Sequence, residues 1–315
     1  MLKDRECTKK NNRKERLYLK IDDKHFIYAF SEKNKPVLTI QTGDTVEFET
    51  LDNLSNKLQK PTDIFQPPDL KKVNPATGPV YIEGAMPGDT LEVKIERIQL
   101  KDYASIVCQA GVGLLGDFFD KDTFKIIPIA DGKLIFDERV SIPQEPMVGV
   151  LGVTPKGPKA HMLNPGKFGG NMDNTMMREG TTVFLPVYVE GALAAVGDVH
   201  AVMGDGEINC SAIEASAFVT LTFNIRKDLK VNEPLLITDE YLVTVASRET
   251  LDDAVKAATR EMAIILRDRL PIGFDEISML MSAIGNAEIC CVVTPVKTAR
   301  FKMPLFTLNP YGFKL

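Results

Sequence analysis

Residues 89–96 read Asp-Thr-Leu-Glu-Val-Lys-Ile-Glu, and residues 44–50 read Asp-Thr-Val-Glu-Phe-Glu-Thr. In the first, Leu91, Val93 and Ile95 alternate with Glu92, Lys94 and Glu96. In the second, Val46 and Phe48 alternate with Thr45, Glu47 and Glu49. A period of two sends alternate side chains to opposite faces, so each stretch predicts a strand with one buried face. Both follow a Gly-Asp pair, which starts turns because Gly tolerates positive φ and Asp bonds the backbone two residues on. The same reading expects strands at 181–189, 216–223, 235–238, 241–246 and 289–294. Helical spacing is confined to the C-terminal part. Residues 250–270 open on a capping pattern, Thr250 to Asp253, and keep Leu251, Ala254, Val255, Ala258, Met262 and Ile265 on one face. A second helix from about Asp275 stops at Gly285. No βαβ alternation is present, which argues against a doubly wound parallel sheet. The expected fold is mainly β, an antiparallel sandwich or barrel-like architecture with a small C-terminal helical element.

At 315 residues the chain is long enough for a substantial core, and 44% apolar with 26% charged residues is ordinary for a globular protein. The net charge of -5 disfavours a nucleic-acid partner, which needs a basic surface. No apolar run is long enough for a membrane span of roughly 18 residues. The division expected is a basic flexible tail over 1–16, a β region over 17–150, and a region over 151–315 that holds the central motif and the helices. The last two can form one integrated unit. The tail lacks the apolar segment of a secretory signal. Five cysteines without a Cys-x-x-Cys spacing suggest reduced thiols in a cytoplasmic protein. Only three histidines are present, so a metal site here must lean on carboxylates.

The chain also carries one phrase twice. Pro79–Asp89 reads PVYIEGAMPGD and Pro186–Asp198 reads PVYVEGALAAVGD. If the copies fold alike, His200 stands where Leu91 stands, and Asp198, matched by Asp89, is as much a turn former as a ligand. The residues around the second copy are unusually polar: Gly169-Gly170-Asn171-Met172-Asp173, Asp198-Val199-His200, Gly204-Asp205-Gly206-Glu207, and Glu214 near the start of an apolar strand. An acid in such a strand is costly unless paired or bound to metal. Asp173, Asp198 and His200 are the candidate metal ligands, Asn171 a substrate contact, and Glu207, Glu214 and Asp205 the candidate proton-transfer acids. One histidine with several carboxylates suits zinc, manganese or calcium. His161, in a Gly/Pro-rich loop upstream, is a weaker candidate and His25 weaker still. No Gly-x-Ser-x-Gly elbow is present.

These motifs resemble the acetamidase/formamidase family. The resemblance runs through GPVYIEGAMPGDTLEV, through GGNMDNTMMREGTTVFLPVYVEGALAAVGDVHAVMGDGEI and through ISMLMSAIGNAEICCVVTP, covering about residues 36 to 305. It implies a mainly β hydrolase that converts short linear amides to carboxylate and ammonia, with lactams as substrates of some relatives. It also implies a homodimer or higher homo-oligomer and a divalent metal, zinc first. Asn171 and Asp173 match the family's GGN-x-D, Asp198 and His200 its GD-x-H, and Asp205 and Glu207 its GDGE. Met203 departs from the glutamine that many relatives carry before GDGE. A non-catalytic β module that binds a small amide or a metal is the rival reading, separable by ammonia release.

Overall fold

A computed structural model describes residues 19–315; the basic segment 1–16 and Cys7 lie outside the described residues. The architecture is mainly β. The longest strand, Thr90–Cys108, grows out of the alternating stretch, and Leu91, Val93 and Ile95 all face the core. Its neighbours are antiparallel: Thr182–Pro186 on one register and Ile213–Arg226 on another, with Thr123–Ala130 at its far end. Ile213–Arg226 also pairs antiparallel with Thr45–Thr50, where burial alternates along the strand as the sequence period requires. The exceptions to antiparallel pairing include Leu19–Ile21 beside Thr45–Thr50 and Leu38–Ile40 beside Ala76–Ile82, which run parallel.

The main core lies between these strands. Phe48, Leu91, Ile95, Leu185, Val196, Val219 and Phe223 belong to one buried cluster, and the Phe48 and Phe223 rings meet edge-on with centroids 6.1 Å apart. A second core sits under the helices. Helix α1 (Leu251–Arg267) is capped by the Thr250 hydroxyl, which accepts from the Asp253 N–H. It buries Ala258, Met262 and Ile265 against Leu242 and Met303. Helix α2 (Phe274–Ile284) ends at Gly285, as the sequence pattern predicts. Among the described residues no helix is long and apolar enough to cross a membrane.

Strand Met147–Gly152 runs through the boundary expected at 150, and the sheet joins residues on either side of it: Thr45–Thr50 and Thr90–Cys108 both pair with Ile213–Arg226. The repeated phrase does not give a repeated structure. In the first copy Gly88-Asp89 lies in the turn before the strand, and Asp89 Oδ2 accepts from the Met86 N–H at 3.0 Å. In the second copy the strand begins earlier, at Ala194, so Gly197-Asp198 falls inside Ala194–Val202. Both copies turn at the same Glu-Gly pair, Glu83-Gly84 and Glu190-Gly191, but the second lacks the further turn that Pro87-Gly88 makes before the strand. His200 therefore does not take the place of Leu91, and Asp198 is no turn former like Asp89. The two copies meet instead: Ala76–Ile82 pairs antiparallel with Ala194–Val202.

Leu91 is fully buried in the main core, and truncating such a side chain leaves a cavity. Leu91→Ala is expected to lower stability by about 2–5 kcal/mol, read as a drop in the urea midpoint at unchanged slope. A loss of well under 1 kcal/mol would show that this strand is not anchored by its apolar face.

Candidate functional site

Strand Ala194–Val202 carries the site. Its neighbours are Met147–Gly152 on one side and Ile213–Arg226 on the other, so His200 lies opposite Met147 and opposite Glu214. All three are buried. Asp198 adopts a positive φ of 54°, the left-handed region that costs a non-glycine residue free energy. It sits between the paired positions Val148↔Val199 and Val150↔Gly197, beside Gly149. Asp173 follows the short strand Gly169–Asn171 with φ 42°, and its N–H reaches the Gly149 carbonyl at 3.3 Å. Gly149 thus lies against both aspartates. A Cβ placed on it would lie 2.8 Å from Asp173 Oδ1 and 3.0 Å from Asp198 Oδ2. No side chain fits there, and the space stays open to the two carboxylates.

Glu207 enters from the Gly204-Asp205-Gly206 turn, also at positive φ. Gly206 forms a parallel bridge with Cys291: its N–H donates to the Cys290 carbonyl at 2.8 Å and its own carbonyl accepts from Val292. This bridge brings the Cys291 thiol to 3.4 Å from Glu207 Oε2. The structure thereby gathers Asp173, Asp198, His200, Glu207, Glu214 and Cys291. Their donor atoms form three overlapping sets, each within 4.8 Å: Asp173–Asp198–His200, His200–Glu207–Glu214 and Asp173–Glu207–Cys291.

The electrostatics of this cluster are unbalanced. His200 Nε2 stands 3.6 Å from Asp198 Oδ1 and 3.5 Å from Glu214 Oε2, too far for good hydrogen bonds. Both oxygens of Asp173, one each of Asp198 and Glu214, and both ring nitrogens of His200 are buried without a partner. Native interiors rarely leave so many polar atoms unpaired in one place. Burial, with the charges of Glu207 and Asp198 adding to it, pushes the Asp173 carboxyl well above the usual range. Burial does the same to Glu214. It raises Glu207 to about 7. For His200, burial works against the charged form, but Glu214 and Asp198 outweigh it and the pKa rises.

The other predicted residues are placed differently. Asp205 is drawn away from the cluster: Arg300, itself buried, donates to both its oxygens, at 3.2 and 2.6 Å, and Thr175 donates at 2.8 Å. Arg300 also holds Asn174 at 2.9 Å, so this ion pair ties the segment after Asp173 to the turn before Glu207. Paired in this way, Asp205 anchors the turn before Glu207 to Arg300. Asn171 is buried at the rim and accepts from Asn74 Nδ2 at 3.4 Å. His161 lies in a two-stranded sheet with Ala29–Phe30, and His25 pairs on the surface with Asp22. Sequence reasoning missed Asn74, whose amide donates to Asp198 Oδ2 at 2.6 Å, and Asp52, which burial and the Asp198 charge raise to about 6. It also read Cys291 only as one of five reduced thiols. Surface depressions lined by Glu233, Arg248 and Arg260 or by Thr175, Tyr241 and Arg300 are separate from the cluster residues.

Residues 22–164 and 158–247 match the Acetamidase/Formamidase family. A putative formamidase of Schizosaccharomyces pombe is 26% identical over 265 residues, 63% of this chain and 64% of that protein, so the match spans less than two thirds of that relative. The crystal structure of a predicted acetamidase/formamidase from Thermoanaerobacter tengcongensis is 42% identical, with a TM-score of 0.92 over 95% of this chain and 99% of that one. An acetamidase structure from Bacillus halodurans is 38% identical, with a TM-score of 0.91 over 94% and 100%. With the family match spanning well over half of the chain and the fold in agreement, the chain belongs to the acetamidase/formamidase family.

Proposed function

We propose that this protein hydrolyses short linear amides, of the size of acetamide and formamide, to a carboxylate and ammonia with the help of a divalent metal. The observation that carries the reading is the set of buried, unpartnered donors centred on His200, inside the span that matches the family. The donors fit a cation: Asp173, Asp198 and His200 converge within 4.8 Å of one another, and Gly149 leaves the space between the two aspartates free. One imidazole and two carboxylates suit zinc, with manganese and calcium accommodated by the same oxygens. When bound, such a cation supplies a Lewis acid for the amide carbonyl and the attacking water.

The chain's own residues do the rest. Asn74 donates to Asp198 Oδ2 at 2.6 Å and leaves Oδ1 directed at His200. Outer hydrogen bonds of this kind orient a ligand. Glu214 is the proton carrier. Its Oε1 is fixed by the Ala212 N–H at 2.9 Å, while Oε2 is free and faces His200 Nε2. A carboxylate held by one oxygen can take the proton of the attacking water with the other and return it to the departing amine. Asn171 contributes a polar wall toward the substrate amide. Met203 packs with Met147 and Ala212, so the side next to Glu214 is apolar. The four described cysteines are free thiols, consistent with a reducing, cytoplasmic setting. A homodimer or higher homo-oligomer is the assembly the family resemblance leads us to propose.

Ammonia release from acetamide and formamide by the metal-loaded protein is the direct test, with lactams as a comparison set. His200→Ala is expected to lose turnover and to hold less metal than the wild type; wild-type turnover with wild-type metal content would overturn the proposal. Glu214→Gln, which keeps the bond to Ala212, is expected to lower kcat by about 10²–10⁴-fold. A wild-type kcat in that variant would remove Glu214 from proton transfer. Gly149→Ala places a methyl group between Asp173 and Asp198, and metal affinity measured by chelator competition is expected to fall about 10–100-fold. Unchanged affinity would show that the cradle beside Gly149 does not border the cation.

A further inference from the structure

The reading above uses Asp173, Asp198, His200 and Glu214, and leaves Glu207 and Cys291 without a task. Both belong to the cluster. Asp173, Glu207 and Cys291 place a carboxylate oxygen each and a thiol sulfur within 4.8 Å of one another. Among the described residues, Cys291 shares no such set with His200, Asp198 or Glu214, so the thiol does not converge on the point that those residues surround. Two residues join the Cys291 set to the sets around His200: Glu207, which also meets Glu214, and Asp173, which also meets Asp198. Asp173 is the one shared with the first cation's ligands. It is fully buried, and neither of its oxygens has a hydrogen-bond partner. A carboxylate with two free oxygens, lying between two donor sets, is suited to bridging.

Charge points the same way. Four carboxylates, those of Asp173, Asp198, Glu207 and Glu214, surround one imidazole in the interior. When all four are ionised, a single divalent cation offsets only half of their charge, and buried uncompensated charge is costly. The Gly206–Cys291 bridge and the positive φ of Glu207 hold the remaining two donors in place. Thr294 Oγ1 lies 3.5 Å from the sulfur, the kind of outer contact that supports a ligand.

We infer that the cluster is dinuclear: a second divalent cation is held by Asp173, Glu207 and Cys291, next to the one held by Asp173, Asp198 and His200, with Asp173 bridging. The inference rests on the metal-assisted reading of the first site. A sulfur ligand selects a borderline-soft ion such as zinc over calcium or magnesium. The thiol binds as thiolate, so loading this position releases the Cys291 proton to solvent, and the cation–sulfur bond replaces the S–H.

Metal counting on the full-length protein tests this apart from activity. After stripping with a chelator and dialysis against zinc, the wild type is expected to hold about two equivalents by elemental analysis. Cys291→Ser and His200→Ala should each hold about one, and Asp173→Asn almost none, with thermal melting showing that each variant is folded. Cobalt loading should give a thiolate-to-metal charge-transfer band in the wild type that Cys291→Ser abolishes. One equivalent in the wild type, or an unchanged count or band in Cys291→Ser, overturns the second site while leaving the first intact. No metal in the wild type overturns the metal-assisted reading itself.

Discussion

The arrangement depends on one constraint: several carboxylates and an imidazole are gathered in the interior without enough partners to neutralise them. Asp173, Asp198 and Glu214 are all but inaccessible, and His200 is fully so. Water and hydrogen-bond donors from the protein would normally satisfy such groups, yet their free atoms point at one another instead. The surrounding sheet holds this arrangement in place. His200 is fixed between Met147 and Glu214 by pairing on both sides, and Asp198 and Asp173 keep unfavourable positive φ values around Gly149. Strain of this kind persists only where the surroundings over-determine it, and it concentrates at functional positions.

The frame that holds the cluster is itself polar at one point. Arg300 spreads its guanidinium over Asp205, Asn174 and Thr175 and bonds Glu288 through Nε at 2.7 Å. It thereby connects the C-terminal strand Lys297–Pro304 to the two segments that deliver Asp173 and Glu207. The planar fork of arginine suits this task, since it can satisfy several acceptors at once. Asp205 sits in the same motif as Glu207, but the two acids do different work. One is neutralised by a permanent partner, and the other is left with a thiol at 3.4 Å. Proximity in sequence says nothing about which acid is free.

Much of the fold was legible from periodicity. The strands at 45–50 and from 90 onward, the capped helix after Thr250 and the helix ending at Gly285 follow local rules of burial, turn formation and capping. Strand ends were less so: the strand expected at 216–223 extends over Ile213–Arg226, because pairing with Thr90–Cys108 continues past the apolar run. The repeated phrase misled for a related reason. Similar sequence does not impose similar structure when one copy lacks the second turn, and that difference converts Asp198 from an apparent counterpart of Asp89 into a buried group beside Gly149.

By itself the sequence determined the mainly β class, the helical pair and the polar central motif that carries His200, because each is a local pattern of residue types along the chain. Only the tertiary structure decided which of those polar residues meet. Asn74, Asp173, His200, Glu214 and Cys291 come from five separated segments, and no spacing links them. Strand register places Glu214 against His200, a bridge at Gly206 brings in Cys291, and an ion pair to Arg300 takes Asp205 out. These are contacts between distant segments, set by hydrogen-bond pairing and charge, and they exist only once the sheet has closed around them.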